Sequence, residues 1–278
     1  RIINLSSRSK VATSGGVLIT GFVIGGNAAK PVLIRGIGPS LAQFGVQGAM
    51  TNPTIRLYRD STLISENTGW TTGGNAAALA ANFARLGAFA LETTSADSAM
   101  LVTLQPGGYS VHVTGGVGVV LAEIYDASVN PQAEVQRLVN ISVRNDAGTG
   151  DDALIGGFVI TGTTSKRVLI RGVGPALVPF GVTNALADSR VQVFSGQTQI
   201  GENDNWSTVP ADATAVAAAA ASVGAFALPV GSKDAALVLT LALAAAVSPS
   251  TPGPLVLVLL AFGLVPASEL ASGILNRA

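Results

Sequence analysis

The residues most suggestive of chemistry sit in short clusters that occur twice. Gly36-Ile37-Gly38-Pro39 and Gly172-Val173-Gly174-Pro175 each follow an apolar run and have the opening of a dinucleotide-binding loop. Such a loop needs a third glycine, where Leu41 stands, and a βαβ unit with an acidic residue at the end of the second strand. Neither feature is evident, and Pro39 lies inside the turn. The expectation is a tight turn in which glycine reaches positive φ. Arg35 and Arg171 close the apolar run before each turn. A guanidinium there can take a carboxylate or an acidic sugar, or it can hold loop carbonyls as a structural fork. The structural fork is the expectation.

Glu202-Asn203-Asp204-Asn205 offers oxygen ligands of the kind Ca²⁺ takes. The equivalent Glu66-Asn67-Thr68-Gly69 has lost one carboxylate, and side-chain-capped turns use the same residue types. No cofactor is therefore assigned, with Ca²⁺ as the one candidate. Trp70 and Trp206 follow directly and suit either sugar stacking or a core anchor, and the core is expected. His112 is the only histidine, so a His-based metal site is excluded, and a catalytic triad would need a positioned serine beside it. Asn4-Leu5-Ser6, Asn140-Ile141-Ser142 and Asn205-Trp206-Ser207 match the glycosylation tripeptide, which is common by chance. A glycoside hydrolase would need paired carboxylates in a cleft. No such pair recurs in both copies, and no catalytic residue is assigned.

These clusters belong to a tandem duplication with an offset of 136 residues. Arg1-Ile2-Ile3-Asn4-Leu5-Ser6 matches Arg137-Leu138-Val139-Asn140-Ile141-Ser142. Gly21-Phe22-Val23-Ile24 matches Gly157-Phe158-Val159-Ile160, and Val32-Leu33-Ile34-Arg35-Gly36 matches Val168-Leu169-Ile170-Arg171-Gly172. One inserted residue later, Gly87-Ala88-Phe89-Ala90-Leu91 matches Gly224-Ala225-Phe226-Ala227-Leu228. The copies are read as residues 1–136 and 137–272. Ile274-Leu275-Asn276 repeats Leu138-Val139-Asn140, so 273–278 is read as the start of a third repeat or an exchanged strand. The chain opens on Arg1 with no basic-then-apolar leader, which suits a processed chain, a fragment or a window of a longer array.

Short apolar or alternating runs bounded by Gly, Pro, Asn and Asp predict strands over 16–24, 31–35, 54–59, 63–66, 99–104, 109–114 and 119–125. In 109–114 the alternation turns Tyr109, Val111 and Val113 to the core and His112 outward. Ala-rich segments 76–86 and 213–223 predict one short helix per copy. The expected fold is all-β: two tandem β-sandwich domains, jelly-roll or immunoglobulin-like, each with one Ala-rich helix. The second copy loses its pattern after Asp234. Two apolar runs, 235–247 and 255–265, flank a Pro-rich stretch, and each is shorter than a spanning helix needs. Two buried or interface strands are expected there, not a membrane span.

Composition narrows the function. Charged residues make up 12% of the chain, and 16 Lys and Arg balance 16 Asp and Glu. A nucleic-acid binder would carry a basic face, and a near-neutral surface lowers the barrier to self-association. With no cysteine, disulfides and thiolate chemistry are excluded.

The motifs resemble a family of secreted tandem β-repeats from Verrucomicrobia-like bacteria, of uncharacterised function. The carriers are Asn-hydrophobic-Ser-x-Arg, Gly-Phe-Val-Ile, Val-Leu-Ile-Arg-Gly-x-Gly-Pro and Phe-Gly-Val, present in both copies. The second half of each unit resembles pre-peptidase C-terminal β-sandwich domains. It does so through Leu57-Tyr58, Glu66-Asn67, Trp70, the run from Asp97 and Pro106-Gly107-Gly108-Tyr109, the last absent from copy two. These resemblances imply a secreted, accessory or structural β-sandwich protein without chemistry of its own, and a place outside the cell or at its surface is expected. Its expected role is a subunit of a filament, sheath or surface assembly, with itself as principal partner. The alternative is a carbohydrate-binding or adhesion module that meets surface glycans. The expected subunit-contact residues are Ile2, Ile3, Asn4, Leu5, Leu255, Leu257, Leu259, Ile274, Leu275 and Asn276.

Overall fold

A computed structural model describes residues 1–130, 135–241 and 256–262; for residue 151 and for 256–262 it describes the backbone path alone. The chain is largely all-β, with antiparallel sheets and few helices. In copy one the strands are β1 (Ile2–Val11), β2 (Leu18–Gly25), β3 (Lys30–Ile37), β4 (Thr54–Arg59), β5 (Thr62–Asn67), β6 (Ser98–Leu104), β7 (Gly107–Thr114) and β8 (Gly118–Asp126), with helix α1 (Ala76–Leu86) before β6. In copy two they are β9 (Arg137–Arg144), β10 (Leu154–Ile160), β11 (Lys166–Gly172), β12 (Val191–Ser195), β13 (Thr198–Asn203), β14 (Ala235–Leu241) and β15 (Val256–Phe262), with α2 (Pro210–Ser222) before β14. The second helix starts three residues earlier than its Ala run predicts, because Pro210 suits the first helical turn.

The strand order joins the copies. One run of neighbours is β6-β3-β8-β1-β10-β15-β12-β13, and another is β9-β2-β7-β4-β5. They touch at Ile2 opposite Leu138, and β11 pairs with β14 in a separate two-stranded sheet. Thus β1, the first strand of copy one, lies between β8 of its own copy and β10 of the other. Reciprocally, β9 pairs with β2. The registers are equivalent: Ser6 faces Gly157 and Leu5 faces Phe158 in one pairing, while Ser142 faces Gly21 and Ile141 faces Phe22 in the other. The duplicated Asn-x-Ser and Gly-Phe-Val-Ile motifs are therefore partners of each other across the copies. A Cβ on Gly21 would stand 2.3 Å from the Ser142 hydroxyl, so a larger residue there would require that serine to turn away.

Both partners of the apolar run after Asp234 follow the plan of copy one. β15 pairs with β10 and β12 in the register in which β7 pairs with β2 and β4: Phe262 faces Leu154 and Val191, as Val113 faces Leu18 and Ile55. Two residues separate β6 from β7, whereas 242–255 separate β14 from β15. Among the described residues no helix is long and apolar enough to cross a membrane.

One apolar cluster runs through both copies. It gathers Leu5, Phe22, Ile34, Ile55, Val111 and Ile124 from copy one with Leu154, Phe158, Ile160, Ile170, Val191 and Val193 from copy two. Strand alternation explains how β3 serves two faces: Val32 and Ile34 enter this cluster, while Leu33 and Ile37 enter a second one beneath α1. That second cluster holds Trp70, Leu79, Phe83, Leu121 and Tyr125. Its copy-two counterpart gathers, among the described residues, Ala176, Trp206, Val216, Leu228 and Ala236.

Candidate functional site

The Gly-x-Gly-Pro turns cradle a carboxylate belonging to the chain itself. Gly38 N donates to Asp97 Oδ1 at 2.7 Å, and Ser40 N donates to Oδ2 at 3.2 Å. The hydroxyls of Ser40 and Ser95 donate to the same carboxylate. In copy two Gly174 N and Ala176 N donate to Asp234 Oδ1 at 2.8 and 3.3 Å, and Ser232 donates to Oδ2 at 2.7 Å. Successive backbone N–H groups form an anion-binding concavity, and a buried aspartate occupies it in each copy. The glycine is needed for a different reason from the one the sequence suggests. Gly38 and Gly174 have φ of −125° and −124°, not positive values. A Cβ on Gly38 would stand 2.0 Å from the Met50 carbonyl oxygen, and one on Gly174 would stand 2.1 Å from that of Leu186. Sequence reasoning missed the two aspartates as functional partners of the turns. The available signal was Ser-x-Asp at residues 95–97 and 232–234, one repeat apart.

Arg35 is a structural fork, and more. Fully buried, it donates through Nε to Glu123 Oε2 at 2.9 Å and through Nη1 to the Phe89 carbonyl at 2.6 Å. Its guanidinium lies 4.3 Å from the Phe89 ring centre and 4.8 Å from that of Phe83, a cation–π arrangement. Tyr125 donates to the other Glu123 oxygen at 2.9 Å. Deeper still, Lys30 pairs with Asp126 at 2.8 Å, both side chains fully buried, and donates to Ser128 at 2.8 Å.

Copy two keeps the arginine and the ring beneath it, and has Ala220 where copy one has Phe83. Arg171 stacks on Phe226 at 4.3 Å. Its Nε and Nη2 are buried and have no hydrogen-bond partner among the described residues. Burial pushes this guanidinium below its ordinary pKa, against the opposing pull of Asp234. It lines a pocket of about 120 Å³ together with Trp206, Val216, Ala220 and Leu228.

Trp70 and Trp206 are core anchors. They are 3% and 4% exposed, and their indole N–H groups donate to the carbonyls of Glu92 and Pro229. Neither presents a face for a sugar to stack on. Two of the four residues in the oxygen-rich stretch considered for Ca²⁺ are engaged elsewhere: Glu202 takes Arg190, Gln192 and Gln199, and Asn203 Oδ1 accepts the Ala236 N–H at 2.9 Å. Asn67 does the same for Ala99 at 3.0 Å. His112 is half-buried, 3.1 Å from the Ser110 hydroxyl, with its ring against Tyr58.

The expected contact residues divide in two. Ile2, Ile3, Asn4 and Leu5 lie in β1, paired on both sides within the same chain, and Leu5 is fully buried. The backbone of Leu257 and Leu259 lies in β15, opposite Val159 and Gly157. Leu255, Ile274, Leu275 and Asn276 lie outside the described residues.

Compared with known proteins, the chain matches no family model, no curated protein and no solved structure.

Proposed function

We propose that this chain is a non-enzymatic, secreted structural protein of bacterial surfaces, built from two interlocked β-sandwich units and acting as the subunit of a filament, sheath or surface assembly. The observation that carries this reading is the reciprocal strand pairing of β1 with β10 and of β9 with β2. The motifs that recur in the sequence are spent on joining one copy to the next, which is what an assembly scaffold requires. The cell-surface setting rests on the resemblance to secreted tandem β-repeats and on the low charge. Contact between chains falls to the sheet edges that the internal exchange leaves open. β5 and β13 end the two runs of strands, and both expose apolar side chains: Leu63 and Ile64 on one, Ile200 at the equivalent position of the other. Neither edge has an outer partner among the described residues, and such edges template pairing with another chain.

The test is negative-stain microscopy of the purified protein beside light scattering across a concentration series. Filaments or discrete higher assemblies are expected, and a Leu63→Lys/Ile200→Lys double variant should remain a folded monomer. A wild-type chain that stays monomeric at high concentration would overturn the proposal.

A further inference from the structure

Lys30 and Asp126 stand inside the joined core. On β3, Lys30 shares a face with Val32 and Ile34, and on β8, Asp126 shares a face with Ala122 and Ile124. Those four apolar residues belong to the cluster that spans both copies, as does Leu104, opposite Lys30 across the ladder. The side chains of Lys30 and Asp126 are wholly buried and meet at 2.8 Å, Nζ to Oδ1. Ser128 touches both. Its backbone N–H donates to Oδ1 at 3.1 Å, and its Oγ accepts from Lys30 Nζ at 2.8 Å. The second carboxylate oxygen, Oδ2, is buried and has no hydrogen-bond partner among the described residues. An ammonium and a carboxylate taken out of water are costly even as a pair, and an unsatisfied oxygen adds to that cost. Copy two does not repeat the arrangement, since Lys166, at the position equivalent to Lys30, is exposed.

We propose that Lys30 and Asp126 condense into an amide, a side-chain cross-link between β3 and β8 that the folded chain forms on itself. The pair first passes one proton from Nζ to the carboxylate, because a dry interior favours the uncharged forms. The amine then attacks Cγ; a desolvated lysine is a competent nucleophile. The Ser128 N–H faces Oδ1, where negative charge develops in the tetrahedral intermediate. Ser128 Oγ holds Nζ in position. The Nζ–Cγ bond forms and the Cγ–Oδ2 bond breaks. Two of the three ammonium protons leave with Oδ2 as water, so the amide keeps Oδ1 and one N–H, and no other reactant is needed. The oxygen that departs is the one without a partner above. In the product, Oδ1 still accepts from the Ser128 N–H, the remaining N–H still donates to Ser128 Oγ, and both buried charges are gone. Contact between the two groups replaces a bimolecular encounter, and exclusion of water suppresses the reverse hydrolysis. The link closes residues 30–126, most of copy one, into a ring, and it stands whether or not the chain assembles.

The test is the intact mass of the purified full chain under denaturing conditions, with tandem mass spectrometry of its tryptic digest. The wild-type chain should be lighter than its sequence by one water. The peptide spanning 11–35 should appear joined to that spanning 86–137, through Lys30 and Asp126. Lys30→Arg keeps a cation beside Asp126 but removes the amine, and it should return the full sequence mass with the two peptides separate. Asp126→Ala should do the same. The linkage is located in the wild-type digest itself, so the assignment does not depend on either variant folding. A wild-type chain at its full sequence mass would overturn the proposal. So would a missing water that persists in Lys30→Arg, or one that fragmentation places elsewhere in the chain.

Discussion

Replacing Asp97 with Ala probes the turn cradle and the joined core at once. The carboxylate is fully buried and accepts from the N–H groups of Gly38 and Ser40 and from two serine hydroxyls. Alanine leaves both N–H groups without an acceptor, at about 1–3 kcal/mol for each buried group. The hydroxyls can rotate to other acceptors and add less. The expected loss is about 3–4 kcal/mol. Asp234→Ala removes the acceptor of Gly174 and Ala176, the latter through a longer bond of 3.3 Å, so a somewhat smaller loss of about 2–3 kcal/mol is expected. The assay is urea denaturation followed by fluorescence in Trp206→Phe and Trp70→Phe backgrounds, so that each copy reports alone. Because a single apolar cluster spans both copies, Asp97→Ala should lower the midpoint seen by Trp206 as much as that seen by Trp70, with coincident transitions. A loss below about 1 kcal/mol would refute the cradle as a stabilising element. Separate transitions, with Trp70 reporting first, would refute the coupling of the copies through β1 and β9.

Three further outcomes follow from particular contacts. Lys30→Met strands the buried Asp126 carboxylate and should cost about 3–5 kcal/mol in chemical denaturation. Lys166→Met, at the exposed equivalent position, should change stability by less than about 0.5 kcal/mol. Phe83→Ala, which removes a buried ring, should cost about 3–5 kcal/mol; a cost below about 1 kcal/mol would mean the ring is not a core anchor. Burial holds the His112 imidazole below its ordinary value, so the folded chain favours the neutral ring. Stability from this group is therefore intact above the unfolded value of about 6.5 and falls as pH drops through the window beneath it. An NMR titration midpoint at or above the unfolded value would contradict this, and His112→Gln should flatten the slope.

Where the sequence alternates, it was readable. The pattern over 109–114 places Tyr109, Val111 and Val113 in the core, and β7 buries those three while its other positions stay partly exposed. The two Ala-rich helices and the strands after each turn also lie close to where composition puts them. The first strand of each copy was not legible as a strand. β1 reads Ile-Ile-Asn-Leu-Ser-Ser-Arg-Ser-Lys-Val, and the consecutive burial of Asn4, Leu5, Ser6 and Ser7 shows that both its faces are covered. Ser7 and Ser9 are under 3% exposed, and Ser7 shares a hydrogen bond with Thr20 at 2.5 Å. Period-two reasoning assumes one wet face, and such a strand has none. The exchange between copies was equally hidden, since register is a pairwise property that a duplicated motif announces only as similarity.

The reciprocity of the exchange constrains how chains could meet. Ser6 opposite Gly157 and Ser142 opposite Gly21 are the same contact made twice, as in an isologous interface, and contacts of that kind close on themselves. A third unit cannot enter by displacing β1 or β9 without first breaking a pairing already made within the chain. Growth by the motif strands is therefore costly, and propagation must use the outer edges. Those edges are themselves restrained. β5 and β13 are six residues long, and each pairs with its inner neighbour through a register shift, between Leu57 and Tyr58 and between Val193 and Phe194. Bulges and short length both limit continuous ladder formation with an outside strand. An assembly through these edges would rest less on backbone bonds than on burying Leu63, Ile64 and Ile200, which is why a single lysine on each edge is the perturbation that should dissolve it.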